Sequence, residues 1–161
     1  AAPAPDDADL VFVSSDARLL RFRAAQVRPQ GLQASGMSGI ALHEGASAIF
    51  FGTVGAATLE GALVATVAAG PETLLGAGAG SAKVSLVADF PTKGRATAGV
   101  RAQRLLAGEP ALALAWVGTA PAHALDAKGR PCALPEAGAR RDAAGQPLES
   151  AVAFLGGALQ L

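Results

Sequence analysis

Gln30-Gly-Leu-Gln-Ala-Ser-Gly36 opens a block that returns 63 positions later as Lys93-Gly-Arg-Ala-Thr-Ala-Gly99. The first copy continues through Met37-Ser-Gly-Ile-Ala-Leu42 and His43-Glu-Gly45 into the apolar run Ala48-Ile-Phe-Phe51. The second continues through Val100-Arg-Ala-Gln-Arg-Leu105 and Leu106-Ala-Gly108 into Ala111-Leu-Ala-Leu-Ala-Trp116. Gly31, Gly36, Leu42, Gly45 and Val54 thus meet Gly94, Gly99, Leu105, Gly108 and Val117 without a gap. A fixed period of this kind marks a repeat architecture. A degraded third copy, Arg140-Arg-Asp-Ala-Ala-Gly145, pairs Arg141 with Arg95 and Gly145 with Gly99, and Ala151-Val-Ala-Phe-Leu155 is its apolar run.

Strand signals fill the rest. Leu10–Val13 is a short apolar run, and Leu20-Arg-Phe-Arg23 alternates as a half-buried strand does. Leu112, Leu114 and Trp116 alternate with alanines, as in a strand packed closely on one face. Asp126-Ala-Lys-Gly129, between Ala122–Leu125 and Arg130–Leu134, reads as a hairpin whose glycine supplies positive φ. Asp16-Ala17 holds the same place in the first copy without a glycine, so a longer or different turn is expected there. Ala57–Ala69 is the only stretch with helical character, and its Thr and Val content favours strand.

Short strands, regular turns and the period together predict an all-β repeat fold of about three four-stranded propeller blades, roughly 40–50 residues each. Residues 1–8 read as a linker or the edge of the chain, and 9–161 as the repeat domain, with blades near 9–56, 57–118 and 119–161. A closed propeller needs roughly 4–8 blades, so a partial wheel is expected. The chain is 51% hydrophobic and 16% charged, which excludes disorder over most of it. Alanine inflates that apolar share, so the core should be thin. Net charge is zero, and no overall field favours a polyanion. One cysteine, Cys132, excludes an internal disulfide framework, and its apolar setting reads as an inert buried thiol. No signal peptide or bilayer-spanning run is evident.

Val27-Arg-Pro-Gln-Gly31, Gly36, Gly39-Ile40 and Leu42, with Lys93-Gly-Arg95 and Gly99-Val-Arg101, resemble the C-terminal repeats of the bacterial DNA gyrase and topoisomerase IV A subunits. The resemblance implies a β-pinwheel, a propeller-like disc whose blades exchange strands and whose basic rim binds and bends duplex DNA. It further implies two protein partners, the catalytic core of the A subunit and the ATPase B subunit, and a cytoplasmic, nucleoid-associated setting. No cofactor, metal or membrane is expected. The chain lacks tyrosine, so the family's DNA-cleaving nucleophile is not here and an accessory, non-catalytic role is implied. Leu32 replaces the arginine expected after Gly31, and Gln103 replaces the apolar residue matching Ile40. The Gln-Arg-Arg-Gly-Gly-Lys-Gly box of gyrase has no counterpart, which favours a topoisomerase IV-like subunit over a supercoiling one.

The cations cluster despite the neutral total. Arg18, Arg21, Arg23 and Arg28 form one group; Lys83, Lys93, Arg95, Arg101 and Arg104 a second, opposed only by Asp89; Lys128, Arg130, Arg140 and Arg141 a third. Alternation should bury Leu20 and Phe22 and project Arg21 and Arg23 outward, giving a phosphate-neutralising track along the blades. The competing reading is a propeller-like protein-interaction module, with these arginines an ordinary solvated face. An enzyme reading is weakest. Gly76–Lys83 lacks both the phosphate-loop and the dinucleotide spacing and reads as a flexible turn. Ser14, His43 and Asp16 can be drawn as a triad but no nucleophile elbow supports it, and both His43 and His123 read as structural.

Overall fold

The computed structural model describes residues 4–69 and 79–157. Among the described residues, eleven strands form three antiparallel sheets. The first sheet takes β1 (Asp9–Ser14), β2 (Arg18–Arg23), β3 (Ala48–Val54) and β6 (Val100–Arg101), in the order β3-β1-β2-β6. The second takes β4 (Ala62–Ala69), β5 (Ser81–Leu86), β7 (Ala111–Thr119) and β10 (Gln146–Pro147), in the order β7-β4-β5-β10. The third takes β8 (Ala122–Leu125), β9 (Pro131–Cys132) and β11 (Phe154–Gly157), in the order β11-β8-β9. Each four-stranded sheet therefore borrows its last strand from the repeat that follows. The all-β, strand-exchanging repeat fold is as the sequence implied.

The borrowed strand is the residue pair after the signature glycine. Val100 faces Leu19 and Arg101 faces Arg18; Gln146 faces Ala82 and Pro147 faces Ser81. The same seam bonds recur on either side. Ala102 N–H donates to Ala17 O and Leu148 N–H to Gly80 O; Lys93 N–H donates to Arg21 O and Ala139 N–H to Val84 O. Both seams require glycine. Gly99 sits at φ +72, and a Cβ there would lie inside contact distance of the Leu19 carbonyl. A Cβ on Gly145 would meet Ser81 and stand 2.7 Å from Gln103 Nε2. The degraded third copy thus holds its glycine where the second does.

Three local expectations change. Because Leu19 and Ala82 occupy the same seam position, Val13 matches Val67, and the register slips at Val13/Ser14 and Val67/Ala68 coincide. The counterpart of Val54, which faces Asp9, is then Gly118, which faces Leu63. The gapless match to Val117 fails by one residue inside the strand. Ser15–Ala17 are closed by the Ser14–Arg18 pair and Ala127–Gly129 by the Asp126–Arg130 backbone bond, so the two turns match, with Ala17 at φ 61 and Gly129 at φ 77. No longer turn is needed, because Ala17 itself takes the left-handed conformation, a rare one for a residue with a Cβ. Finally, Ala57–Ala69 divides: Ala56–Gly61 is a 3-10 turn, and only Ala62–Ala69 is strand. Of the stretch Gly76–Lys83, residues 76–78 lie outside the described residues, and Ser81–Lys83 is not a flexible turn but the start of β5.

The sheets stack in chain order. Val11, Val13 and Leu19 of the first meet Val64, Ala68, Leu112 and Val117 of the second. The second sheet's other face, Leu63, Ala65 and Val84, meets Ala122, Leu134 and Leu155 of the third. Alanines recur throughout this interior, which lets the sheets approach closely.

Gly99→Ala should destabilise by about 3 kcal/mol, from left-handed strain and collision with the Leu19 carbonyl. Gly36, at φ +85 with nothing within 4 Å, meets only the strain, and Gly36→Ala should cost about 1 kcal/mol. Urea unfolding of the two variants side by side measures the difference; equal losses would remove the seam from the explanation.

Candidate nucleic-acid interface

The first hairpin shows how the strands distribute their cations. Both faces of β2 are covered: Leu20 and Phe22 are buried with Leu10 on one side, and Leu19 with Val11 and Val13 on the other. Arg21 therefore does not project outward. It is 8% exposed, donates Nε–H to Phe90 O at 2.6 Å, and pairs through Nη1 with Asp9 Oδ2 at 2.8 Å. Arg23 remains exposed, 3.4 Å from Asp9 Oδ1, and donates to Asp7 O. In the second sheet the same two positions as Asp9 and Arg21 hold Leu63 and Val84. One scaffold carries an ion pair in one blade and an apolar pair in the next.

Gln103 has a similar account. Ile40 packs on Phe12, Leu10, Leu20 and Phe22. At the matching place Gln103 is buried, accepts from Thr66 Oγ1 at 2.7 Å and donates Nε2–H to Ser81 Oγ at 3.1 Å. The positions matching Phe12, Leu20 and Phe22 are Thr66, Lys83 and Ser85, so three of the pocket's apolar residues turned polar together, while Leu10 is matched by the apolar Val64. Lys83 is 2% exposed and donates Nζ–H to the carbonyls of Arg140 and Arg141 across the second seam. Burial pulls its pKa down to about 8, against the upward pull of Asp142 and Asp89, with Arg141 adding to the fall.

Ser14, Asp16 and His43 do meet, but in an order unsuited to catalysis. Asp16 stands in the middle: Ser14 donates its hydroxyl to Oδ1, and His43 Nδ1 lies 2.6 Å from Oδ2. Ser14 is 1% exposed and has no imidazole beside it. Partial burial would raise the Asp16 pKa, but the Ser14 hydroxyl and the His43 bond and charge outweigh it and hold it below 3.8. His123 lies exposed on β8. Cys132 is half-buried rather than buried, with Ser150 Oγ 3.3 Å from its sulfur.

Five of the twelve cations expected at a DNA surface sit in ion pairs: Arg18 with Asp16 at 3.7 Å, Arg21 and Arg23 with Asp9, Arg130 with Asp126 at 2.6 Å, and Arg140 with Asp142 at 3.6 Å. Asp126 also accepts from the backbone of Arg130 and Lys128. The Arg130 amide is the largest cause of its lowered pKa, ahead of the opposing effect of burial and the Arg130 side chain. Among the described residues, Arg28, Lys93, Arg95, Arg101, Arg104, Lys128 and Arg141 have no acidic group within 4.0 Å. The structure gathers them in small groups. Arg18 and Arg101 face each other across the first seam. Arg28 and Arg95 line one groove, where Arg95 donates to Ser38 O. Arg140 and Arg141 line a second, with Asp89 and Asp142. Leu32, standing where the signature arginine is expected, is fully exposed.

The family model for the DNA gyrase C-terminal domain, a β-propeller, matches residues 8–54 and 74–110, just over half of the chain. The topoisomerase subunit TopoM of Mycolicibacterium smegmatis is 31% identical over 113 residues, 70% of this chain and 14% of that protein. The DNA gyrase A C-terminal domain superposes with a TM-score of 0.68 at 17% identity, over 99% of this chain and 52% of that one. The E. coli ParC C-terminal domain gives 0.67 at 15%, over 94% and 61%. The DNA topoisomerase IV C-terminal domain gives 0.64 at 16%, over 90% and 46%. At these identities the three structures speak for the fold alone. The chain spans about half of each, and a seventh of the curated relative.

Two stability measurements test the interior. Asp9→Leu and Arg21→Val should each cost about 3–5 kcal/mol by stranding a buried charge, while the double variant, which copies Leu63 and Val84, should return to within about 1 kcal/mol of the parent. Losses that simply add would show the pair is not the coupled unit. For Lys83, the folded pKa near 8 lies below the 10.5 of a free lysine, so between these values the unfolded chain binds more protons. Stability should therefore rise from pH 8 to pH 10.5, by roughly 3 kcal/mol at most, and Lys83→Met should abolish the rise. The chain has no tyrosine to obscure it.

Proposed function

This chain belongs to the family of DNA gyrase C-terminal β-propeller domains, and on that premise we propose that it holds and bends duplex DNA for a topoisomerase catalytic core carried elsewhere. The observation that carries this reading is the pairing of Arg18 with Arg101 across the first seam. Like charges directly opposite on neighbouring strands repel, and among the described residues the one carboxylate within ion-pair distance of either, Asp16, stands 3.7 Å from Arg18 and already serves Ser14 and His43. A phosphate oxygen supplies the missing negative charge. Arg104, Lys93 and Arg95 belong to the same repeat, and Lys128 and Arg141 extend the set into the next.

The mechanism is electrostatic and sequence-tolerant. Each phosphate contact releases counterions, so affinity falls with salt at a log–log slope of about −0.9 per contact. Bending a short site costs on the order of 1–6 kcal/mol, which the contacts must exceed. The partners in this reading are duplex DNA, the A-subunit core and the ATPase B subunit, in the bacterial cytoplasm. Absence of the gyrase box and loss of the signature arginine at Leu32 favour a topoisomerase IV-like parent over a wrapping one.

Fluorescence anisotropy with a labelled duplex across a salt series tests this. Arg101→Ala should weaken binding about threefold to tenfold and make the salt slope shallower by about one. Leu32→Arg, at a fully exposed position, should do the opposite. Affinity independent of salt would leave only the protein-interaction reading.

A further inference from the structure

His43 and Arg18 meet at one oxygen. His43 Nδ1 lies 2.6 Å from Asp16 Oδ2, and Arg18 Nε lies 3.7 Å from the same atom. The Ser14 hydroxyl takes Oδ1, so Oδ2 is what remains for the two nitrogens. The loop that carries His43 is pinned to the first hairpin. Ser15 N–H donates to Ser47 O at 2.8 Å, Ser47 N–H donates to Ser15 Oγ at 3.0 Å, and Ala46 N–H closes the turn on His43 O. The His43 side chain is 52% exposed, so protons reach it from solvent.

The third hairpin shows an arginine at the same place without a histidine. The matched turns set Arg130 where Arg18 stands. Arg130 donates Nε–H to Asp126 Oδ2 at 2.6 Å, and its Nη2 lies 2.6 Å from that oxygen as well. Among the described residues no histidine comes within ion-pair distance of Asp126. Asp126 holds the place of Ser14 rather than of Asp16, so the carboxylates start from different positions while the arginines do not. Arg18 is held far more loosely, 3.7 Å from Asp16 and with Nη1 donating to Gly99 O at 3.5 Å. Both distances exceed those of a good hydrogen bond. Arg101 faces it across the seam. The remaining charged groups on the elements that meet here are Glu44, next to His43, and Glu109 ahead of β7, whose carboxylate accepts the Leu106 N–H.

We propose, resting on the duplex-binding reading above, that His43 is a positioning residue for the phosphate contact: its protonation draws the Asp16 carboxylate from Arg18 and leaves Arg18, with Arg101 opposite, to the DNA backbone. Burial would raise the Asp16 carboxyl, but its bonds to Ser14 and His43 hold it below 3.8, so it stays ionised while the ring titrates. An ionised carboxylate only accepts, so Nδ1 carries the hydrogen between them and the added proton enters at Nε2. Charge on the donor strengthens its bond to a carboxylate. With a neutral ring, Arg18 is the cation that Oδ2 keeps. With an imidazolium, the ring becomes the counter-charge, and two arginines face each other without one. Affinity for duplex DNA therefore rises as pH falls through the histidine range, about pH 8 to pH 5.

Fluorescence anisotropy at fixed ionic strength should show the parent binding a labelled duplex about threefold to tenfold tighter at the acid end of that range, with a salt slope steeper by about one. His43→Gln should hold a single affinity throughout. Asp16→Asn keeps an oxygen for Ser14 but releases Arg18 at every pH, so it should bind at the alkaline end as the parent does at the acid end. His123→Gln, at the other histidine, should keep the parent's profile. A flat parent profile overturns the proposal, and so does a pH response that survives His43→Gln. A response that survives Asp16→Asn also overturns it, since the imidazolium would then touch phosphate directly. Absence of duplex binding at every pH would remove the DNA reading instead, and the NMR signal of Arg18 Nε then decides the switch alone. A shift that follows the His43 titration and vanishes in Asp16→Asn upholds it; a signal indifferent to His43 overturns it.

Discussion

The fold depends on one contact made twice: the two residues after the signature glycine leave their own repeat and complete the sheet before it. Gly99 delivers Val100 to Leu19, and Gly145 delivers Gln146 to Ala82. Without this exchange each sheet would be three strands with an open edge, and an open edge exposes unpaired backbone groups. With it, the backbone bonds of one repeat hold the next in place. The seam also fixes which faces meet, because a one-residue slip would turn every side chain to the wrong side.

Inside that frame, the repeats have diverged in matched sets rather than singly. Asp9 and Arg21 correspond to Leu63 and Val84, an ion pair exchanged for two aliphatic side chains. Ile40 with Phe12 and Phe22 corresponds to Gln103 with Thr66 and Ser85. Changing one member alone would strand a charge or a polar group in the interior, at a cost of several kcal/mol. Changing the set together keeps the pocket consistent. The second exchange is not complete in its bonding, since the buried Ser85 hydroxyl has no partner. Lys83 closes the polar set by reaching the carbonyls of the third repeat, so the substitution also strengthened a seam.

The period and its glycines were legible because backbone conformation demanded them. Gly36, Gly45, Gly99 and Gly108 all hold positive φ, and a requirement of that kind survives when side chains drift. The hairpin at Gly129 was legible for the same reason. Its twin at Ala17 was not, since nothing in an alanine announces a left-handed turn. Arg21 was misread because alternation assigns one face to water, while β2 is covered on both faces by sheet and by loop. The partner that holds it, Asp9, lies on the neighbouring strand, and pairing across strands is invisible to a reading along one. Phe90 O, its other acceptor, is 69 residues away.

Zero net charge does not describe how the charges are distributed over this surface. Four of the acids, Asp9, Asp16, Asp126 and Asp142, are engaged by arginines, and the first three also organise the hairpins beside them. Others are held in the turns that precede the outer strands: Glu44 beside Gly45, and Glu109, whose carboxylate accepts the Leu106 N–H. Arg101, Arg104, Arg28 and Lys93 keep no carboxylate within ion-pair distance among the described residues. The seam itself sets two arginines, Arg18 and Arg101, against one carboxylate within ion-pair distance among the described residues, Asp16. The total is neutral while the neighbourhood of Arg18 and Arg101 is not. Over a screening length of about 8 Å at physiological salt, it is that neighbourhood, and not the sum, that sets the local field.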